Sequence, residues 1–358
     1  MHLFISPSFM NRHFNVGLVG FGNAGEFYHA PYIDSLEFFN LCQIRETKPE
    51  KIAIIKKRYP HVNITSDAST IFANPAIDIV IIAAPNQYHF DLAKQSLLAG
   101  KHVVVDKPFT VTTFEADELI DLSQQSGKVV AVYHNRRFAS DFRTVEKLLK
   151  NNVLGEIVEY EAHFDRFRKE IRYESWKEAQ THGSGIFYDM GSHLIDQALY
   201  LFGVPNEIFA DLRVQRKEGA AIDNFELKLY YERLKVSLKG SMLANVARPQ
   251  FALFGERGCF IKHGMDIQEK DIRNGKRPGS TDWGMEPESM WGHLTLIDEE
   301  NKVIKSEQGN FGDFYTNLYN HLGAGEELLI KPFEARNVIR AIELAIKSNE
   351  EKRVVCWS

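Results

Sequence analysis

Residues 183–196 read GSGIFYDMGSHLID and set Asp189 and His193 four positions apart, directly after a glycine-rich turn. Side chains at i and i+4 share one helix face, so a carboxylate would meet an imidazole there, fix its tautomer and raise its basicity. Such a pair can move protons. Taken alone, the same stretch also reads as a first-turn acid favoured by the helix dipole and a satisfied core histidine. Two other stretches weigh toward chemistry. Residues 103–108, VVVDKP, form an apolar run ending in Lys107, which Pro108 pins. Residues 20–25, GFGNAG, follow an apolar run at 16–19. In a G-x-G-x-x-G hexamer between strand and helix the glycines serve separate ends, namely a tight turn, close approach of backbone to a pyrophosphate, and close helix packing.

The elements that must position these residues follow an alternating grammar. The apolar runs 16–19, 38–44, 77–84, 102–105 and 129–133 are strand candidates. Helix-length stretches, 88–99 and 113–126 among them, separate these runs, and Gly127 closes the last one. Strand and helix in alternation predict a doubly wound parallel sheet. After Tyr133 the pattern changes to a helix over 140–150 and strand-like alternation over 156–167, 207–215, 225–231 and 235–243. These predict a largely antiparallel sheet. The segment 268–290, rich in Gly, Pro and charge, reads as a loop, and 332–349 as an amphipathic helix. The expected fold class is therefore α/β: a Rossmann dinucleotide-binding domain over 12–133 and an α+β substrate-binding and oligomerisation domain with an open sheet over 134–358. The active site belongs in the crevice between them.

Composition narrows the class of partner. With 358 residues, 44% of them hydrophobic and 25% charged, the chain suits two domains of ordinary size. A net charge of -5 and short, acid-interrupted basic clusters argue against nucleic acid. Three cysteines far apart, Cys42, Cys259 and Cys356, form no Cys-x-x-Cys pair, which predicts neither a disulfide framework nor a zinc knuckle and fits a reducing cytoplasm. The opening dozen residues read as a loose tail without a basic leader region, and no apolar run approaches a membrane span. Asp189, His193 and Asp196 could be drawn as metal ligands, but no further histidine clusters near them, so no metal is expected.

Gly20, Gly22 and Gly25, the DKP tripeptide and the DMGSH segment together resemble the Gfo/Idh/MocA family of nicotinamide-dependent oxidoreductases over nearly the whole chain. The stretches YHNRRF (133–138), GSHLIDQALYLFG (191–203) and FIKHGMDIQE (260–269) are most similar to its scyllo-inositol dehydrogenase-like branch. Asp106 departs from the Glu more usual in that family before the Lys-Pro pair. The resemblance implies that Lys107 lies between nicotinamide and substrate, where its ammonium can stabilise a developing alkoxide. It makes His193, assisted by Asp189, the general acid/base, and which of Lys107 and His193 takes the proton stays open. Cofactor contacts are expected from Gly20, Phe21, Gly22, Asn23, Ala24, Gly25, Glu46, Pro85, Asn86, His89, Asp106 and Lys107. Glu46, about twenty residues beyond the glycine loop, can accept from ribose hydroxyls and repel a 2'-phosphate, which favours NAD slightly over NADP, although Arg45 and Lys48 flank it.

Asn135, Arg136, Arg166, Arg168 and Trp176 are the expected substrate contacts. Such a lining suits the hydroxyls and apolar ring face of a cyclitol or pyranose sugar, whereas a carboxylate substrate calls for a more dedicated basic pocket. The expected function is hydride transfer between NAD or NADP and a secondary alcohol carbon. The expected assembly, from the family, is a homodimer or homotetramer. Other readings are a dinucleotide-binding sensor without turnover, against which Lys107, Asp189 and His193 speak, and a dehydrogenase of another polyol, an aldose or a dihydrodiol.

Overall fold

The structure, a computed structural model, describes residues 12–246 and 248–358. Residues 1–11, where most of the loose tail is expected, lie outside the described residues. Strands β1 (Phe14–Val19), β2 (Phe39–Arg45), β3 (Asn63–Thr65), β4 (Ile79–Ile82), β5 (His102–Asp106) and β6 (Val130–Tyr133) form one sheet in the order β3-β2-β1-β4-β5-β6. All its pairings are parallel. Helices cover both faces of a parallel sheet, so β4 and β6 are buried at every position, which is why they read as unbroken apolar runs. Strand order reverses between β1 and β4, and this opens the crevice at the strand carboxyl ends. Helix Thr113–Ser126 has the start and stop its sequence offers: Thr112 and Glu115 form a capping box, and Gly127 ends it at φ 62°.

The second sheet has nine strands: β7 (Ile157–Asp165), β8 (Glu207–Arg213), β9 (Asn224–Tyr230), β10 (Lys235–Ser241), β11 (Phe251–Gly255), β12 (Gly258–Lys262), β13 (Gly292–Leu296), β14 (Lys302–Ile304) and β15 (Val355–Cys356). They run β14-β13-β12-β11-β7-β10-β9-β8-β15, antiparallel except where β10 lies parallel to β7. Period-2 burial is clear in β9, which buries Phe225, Leu227 and Leu229. Helices Ser192–Phe202 and Pro332–Glu351 pack beside this sheet, and Ser348 and Asn349 accept from the backbone N–H groups of Ala210 and Leu212 at 3.1 and 3.0 Å. Ion pairs such as Lys235–Glu159 at 2.6 Å join neighbouring strands.

The expected division at residue 133 separates the two sheets but not the packing around them. Helix Gly312–Ala324 returns to the first domain, where Tyr319 packs edge-on to Phe14 (5.9 Å) and Tyr315 lies 5.4 Å from Tyr133. The last helix also grips that domain, since Glu343 accepts from the Thr113 backbone at 2.7 Å and Arg336 from the same helix pairs with Asp117 at 2.8 Å. Between the sheets, Arg137 holds Asp196 through two hydrogen bonds of 2.9 and 2.7 Å and reaches Glu334 at 2.7 Å. Such a fork-on-carboxylate pair fixes the short 3-10 turn Asn135–Phe138 against two helices. No helix among the described residues is long and apolar enough to cross a membrane.

His134 is buried beside this network with neither ring nitrogen hydrogen-bonded, the nearest carboxylate oxygen being that of Asp196 at 3.8 Å. Burial, aided by Arg137 and Lys107 and opposed by Asp196, pushes its pKa down to about 4. Above pH 6.5 it is neutral in both folded and unfolded chains. As pH falls from 6.5 toward 4 the unfolded chain takes up the proton first, so stability is lost in that window. We expect His134→Leu to lose about 2 kcal/mol less stability than wild type between pH 7 and pH 5. Urea unfolding at the two pH values checks this, and equal losses in both proteins would refute it.

Candidate active site

A cleft of about 1350 Å³ runs along the carboxyl edge of the first sheet and under the second domain. At one end β1 delivers the chain to Gly20, whose φ of 103° and whose ideal Cβ, 2.5 Å from the Ala83 carbonyl oxygen, exclude a side chain. A Cβ on Gly25 would lie 2.1 Å from the Gly20 carbonyl oxygen, so that glycine serves helix packing and does not border the cleft. Gly22 differs: nothing lies within 4 Å of its Cβ position, and it does border the cleft. The helical path starts immediately after it, with Glu26 N–H donating to Gly22 O at 2.9 Å. Unpaired N–H groups and the positive end of the helix dipole there suit an anion, so this turn fits the pyrophosphate of a dinucleotide.

Phe21, Asn23, Ala24, Glu46, Pro85, Asn86 and Asp106 border the same cleft. One oxygen of Glu46 accepts from the backbone of Thr47 and Lys48 at 2.8 and 3.0 Å. Asn86 donates to Gly183 O at 2.7 Å, joining the two domains beside the cleft. His89, expected to contact cofactor, does not border it. Its ring is fully buried, with Nδ1 2.8 Å from Pro108 O and Nε2 2.9 Å from Ala84 O. It braces the loop after β4 against the one after β5. Burial lowers its pKa, and a neutral ring donates only one of these two bonds.

Lys107 directly follows β5 and borders the cleft, its Nζ donating to Asp189 twice, to the backbone oxygen at 2.8 Å and to Oδ1 at 2.9 Å. Lys177 donates to the same Oδ1 at 2.8 Å. Burial works against a charge on Asp189, but the two ammonium groups outweigh it and hold the carboxyl well below the usual range. His193 stands nearby with Nδ1 buried and unpartnered, its ring stacked at 6.1 Å on Phe164. Burial, with Lys107, Arg136 and His134 close by, depresses its pKa well below the ordinary histidine value. His193 is thus a neutral imidazole.

The hydrogen bond expected between Asp189 and His193 is not formed. Residues Phe187–Gly191 wind as a π-helical turn before the α-helix Ser192–Phe202 begins, so the i, i+4 relation of a regular helix does not carry across them. Asp189 pairs instead with a lysine from the first domain and one from a loop. Asp196, on the same helix, is held by Arg137. Asn135, Arg136, Arg166, Arg168 and Trp176 all border the cleft.

Several cleft residues escaped the sequence reading. Lys177 and Arg172 lie in the connection between β7 and the π-turn, where no periodicity marks them. Phe164 was findable, because it shares strand parity with Arg166 and Arg168. Tyr28 donates to Glu269, and Arg273 reaches Asn23 and lies 4.0 Å from the Phe27 ring, so the short helix Gln268–Arg273 closes over the glycine turn. That segment reads as a loop in sequence.

Residues 14–134 match the profile described as an oxidoreductase family, NAD-binding Rossmann fold, and residues 146–357 match its C-terminal alpha/beta domain. An uncharacterized oxidoreductase of Escherichia coli, YdgJ, is 39% identical, covering 97% of this chain and 99% of its own. The scyllo-inositol 2-dehydrogenase (NADP(+)) IolW of Bacillus subtilis is 34% identical, covering 95% of each chain. The crystal structure of the oxidoreductase yvaA from Bacillus subtilis superposes with a TM-score of 0.92 at 33% identity, covering 96% of this chain and 98% of that one. A glycine turn shaped for a dinucleotide and a lysine–carboxylate–imidazole group facing it are thus joined in one chain that belongs to the Gfo/Idh/MocA oxidoreductase family, as an NAD(P)-dependent dehydrogenase.

Proposed function

We propose that the protein interconverts a secondary alcohol and a ketone on a sugar or cyclitol ring, with Lys107 and His193 handling the hydroxyl proton. The observation that carries this reading is the meeting of Lys107, its Nζ anchored on Asp189, with a neutral, buried His193 in the cleft that the glycine turn opens. When bound, the nicotinamide accepts or supplies the hydride. The remaining work falls to side chains. Asp189 fixes the Lys107 ammonium so that a remaining N–H can point at the substrate oxygen, where negative charge develops. His193 has an unprotonated ring nitrogen available for the hydroxyl proton, and its burial keeps it so at neutral pH. Asn135 and Trp176 offer a hydrogen-bonding amide and a ring face to a polyol.

What supports NADP as the better coenzyme is the engagement of one Glu46 oxygen by its own loop, with Arg45 and Lys48 bordering the same end of the cleft. The NADP specificity printed for the Bacillus relative points the same way. Self-association through the second sheet, expected from the family, is checked by light scattering.

The test is a nicotinamide absorbance assay with NAD and NADP against a panel of inositols and aldoses. We expect turnover of at least one ring alcohol, and a fall in kcat of roughly 10²- to 10⁴-fold in His193→Asn. Turnover that survives this substitution unchanged would remove His193 from the chemistry. Tight coenzyme binding with no turnover on any sugar would favour a sensor.

A further inference from the structure

We infer that the substrate is an anionic sugar, bearing a carboxylate or phosphate that Arg136, Arg166, Arg168 and Arg172 receive at the second-domain end of the cleft; this rests on the dehydrogenase reading above. The chain leaving β7 is extended through residues 164–168, so Phe164, Arg166 and Arg168 project to one side, and all three border the cleft together with Arg136 and Arg172. Phe164 fixes where this group begins. Its ring stacks on His193 at 6.1 Å and carries the guanidinium of Arg136 at 5.3 Å and that of Arg166 at 5.6 Å. A sugar whose reacting alcohol lies at Lys107 and His193 therefore has its other end among these arginines.

Burial opposes the charge on Arg136, but Tyr28, Asp141, Asp266 and Glu269 outweigh it and raise its pKa, so the charge left without a counter-ion is that of Arg166, Arg168 and Arg172. Among the described residues, the guanidinium groups of Arg136, Arg166, Arg168 and Arg172 make no hydrogen bond and no ion pair. Arg136 is 8% exposed, and its Nε is buried without a partner. The carboxylates nearby are already engaged. Asp189 is shared by Lys107 and Lys177, and Glu178 and Asp223 are both held by Arg216. Glu269 is taken by Tyr28 and Arg273. Arg168 registers the surplus: burial, together with Arg172 and Arg166, lowers its pKa from the ordinary guanidinium value. Gathering like charges at a partly dry wall is unfavourable unless an anion completes it, and planar guanidinium forks match carboxylate and phosphate oxygens. This is the dedicated basic pocket that a neutral polyol does not need.

The experiment compares kcat/KM for matched sets, glucose with glucuronate and glucose 6-phosphate, and myo-inositol with its monophosphate, using the holoenzyme. At least one anionic member should exceed its neutral parent by roughly ten- to a hundredfold. Preference for the uronate assigns a carboxylate, and preference for the phosphates assigns a phosphate monoester. Arg168→Ala and Arg172→Ala should each shrink the anionic-to-neutral ratio about tenfold, mainly through KM, and Arg168→Glu should invert it. Turnover of the neutral sugars with no preference for anions overturns the inference and leaves the dehydrogenase reading standing. Arginine variants that raise coenzyme Kd while leaving the ratio unchanged overturn it too, by assigning the group to the coenzyme phosphates. If no sugar turns over, calorimetric binding of glucuronate or glucose 6-phosphate that is lost in Arg168→Ala upholds the anion site while the dehydrogenase reading fails. No binding in that case overturns both.

Discussion

Lys107→Ala should lower kcat by roughly a thousandfold while coenzyme Kd changes by less than about threefold. The asymmetry follows from where the ammonium points. Its two hydrogen bonds go to Asp189, across the cleft from the glycine turn, and neither goes to the groups that surround the coenzyme phosphates. Losing a preorganised donor to a developing oxyanion costs about 10²- to 10³-fold, and misplacing the proton acceptor beside it adds to that. The fold should survive, because Lys177 still pairs with Asp189 at 2.8 Å and keeps the buried carboxylate compensated. Single-turnover absorbance with a good substrate, alongside fluorescence titration of coenzyme, separates the two effects. A kcat within tenfold of wild type would remove Lys107 from the chemistry, and a parallel loss of coenzyme affinity would make it a binding residue.

The second large effect is expected at Gly22. Its backbone is not in the left-handed region and no atom lies near its Cβ position, so Gly22→Val should fold with a Tm within about 2 °C of wild type. The added methyl groups occupy the space where a pyrophosphate must approach the helix start, and coenzyme Kd should rise by at least about a hundredfold. Gly25→Ala gives the opposite signature. Its Cβ would lie 2.1 Å from the Gly20 carbonyl oxygen, so the strand and helix must separate, with a cost of about 1–3 kcal/mol and a lower Tm. Differential scanning fluorimetry with and without NADP reads both. A Gly22→Val protein that binds coenzyme normally would show that the phosphates do not pass this turn.

These two sites illustrate what a sequence shows by itself. The glycine turn is local: three glycines, a strand before and a helix after are all within one window, and the structure assigns each glycine a separate spatial reason. The first sheet was legible because strands buried on both faces are unbroken apolar runs. In the second sheet β7 to β10 alternate clearly, but β11 to β14 are only three to five residues each and were not read. Helix Gly312–Ala324 was also missed, since its aromatic residues Tyr315 and Tyr319 face the first domain, a partner that no local period announces. At the site, residue types were legible and pairings were not. Asp189 reads as the neighbour of His193, yet its partners are Lys107, 82 positions away, and Lys177.

The π-turn at Phe187–Gly191 makes the site sensitive to length more than to composition. A π-turn threads one residue more through its span than an α-helical path requires. Removing Met190 or Gly191 would let the helix close up as a regular α-helix, with the apolar face of Ser192–Phe202 still seated on its sheet. Asp189 would then be carried about 100° around the axis, away from the ammonium of Lys107. Substitutions within the turn leave that register alone. Loss of either codon between Asp189 and Ser192 therefore disconnects the two domains' halves of the proton-handling group, a sensitivity separate from the need for the Asp189 carboxylate itself.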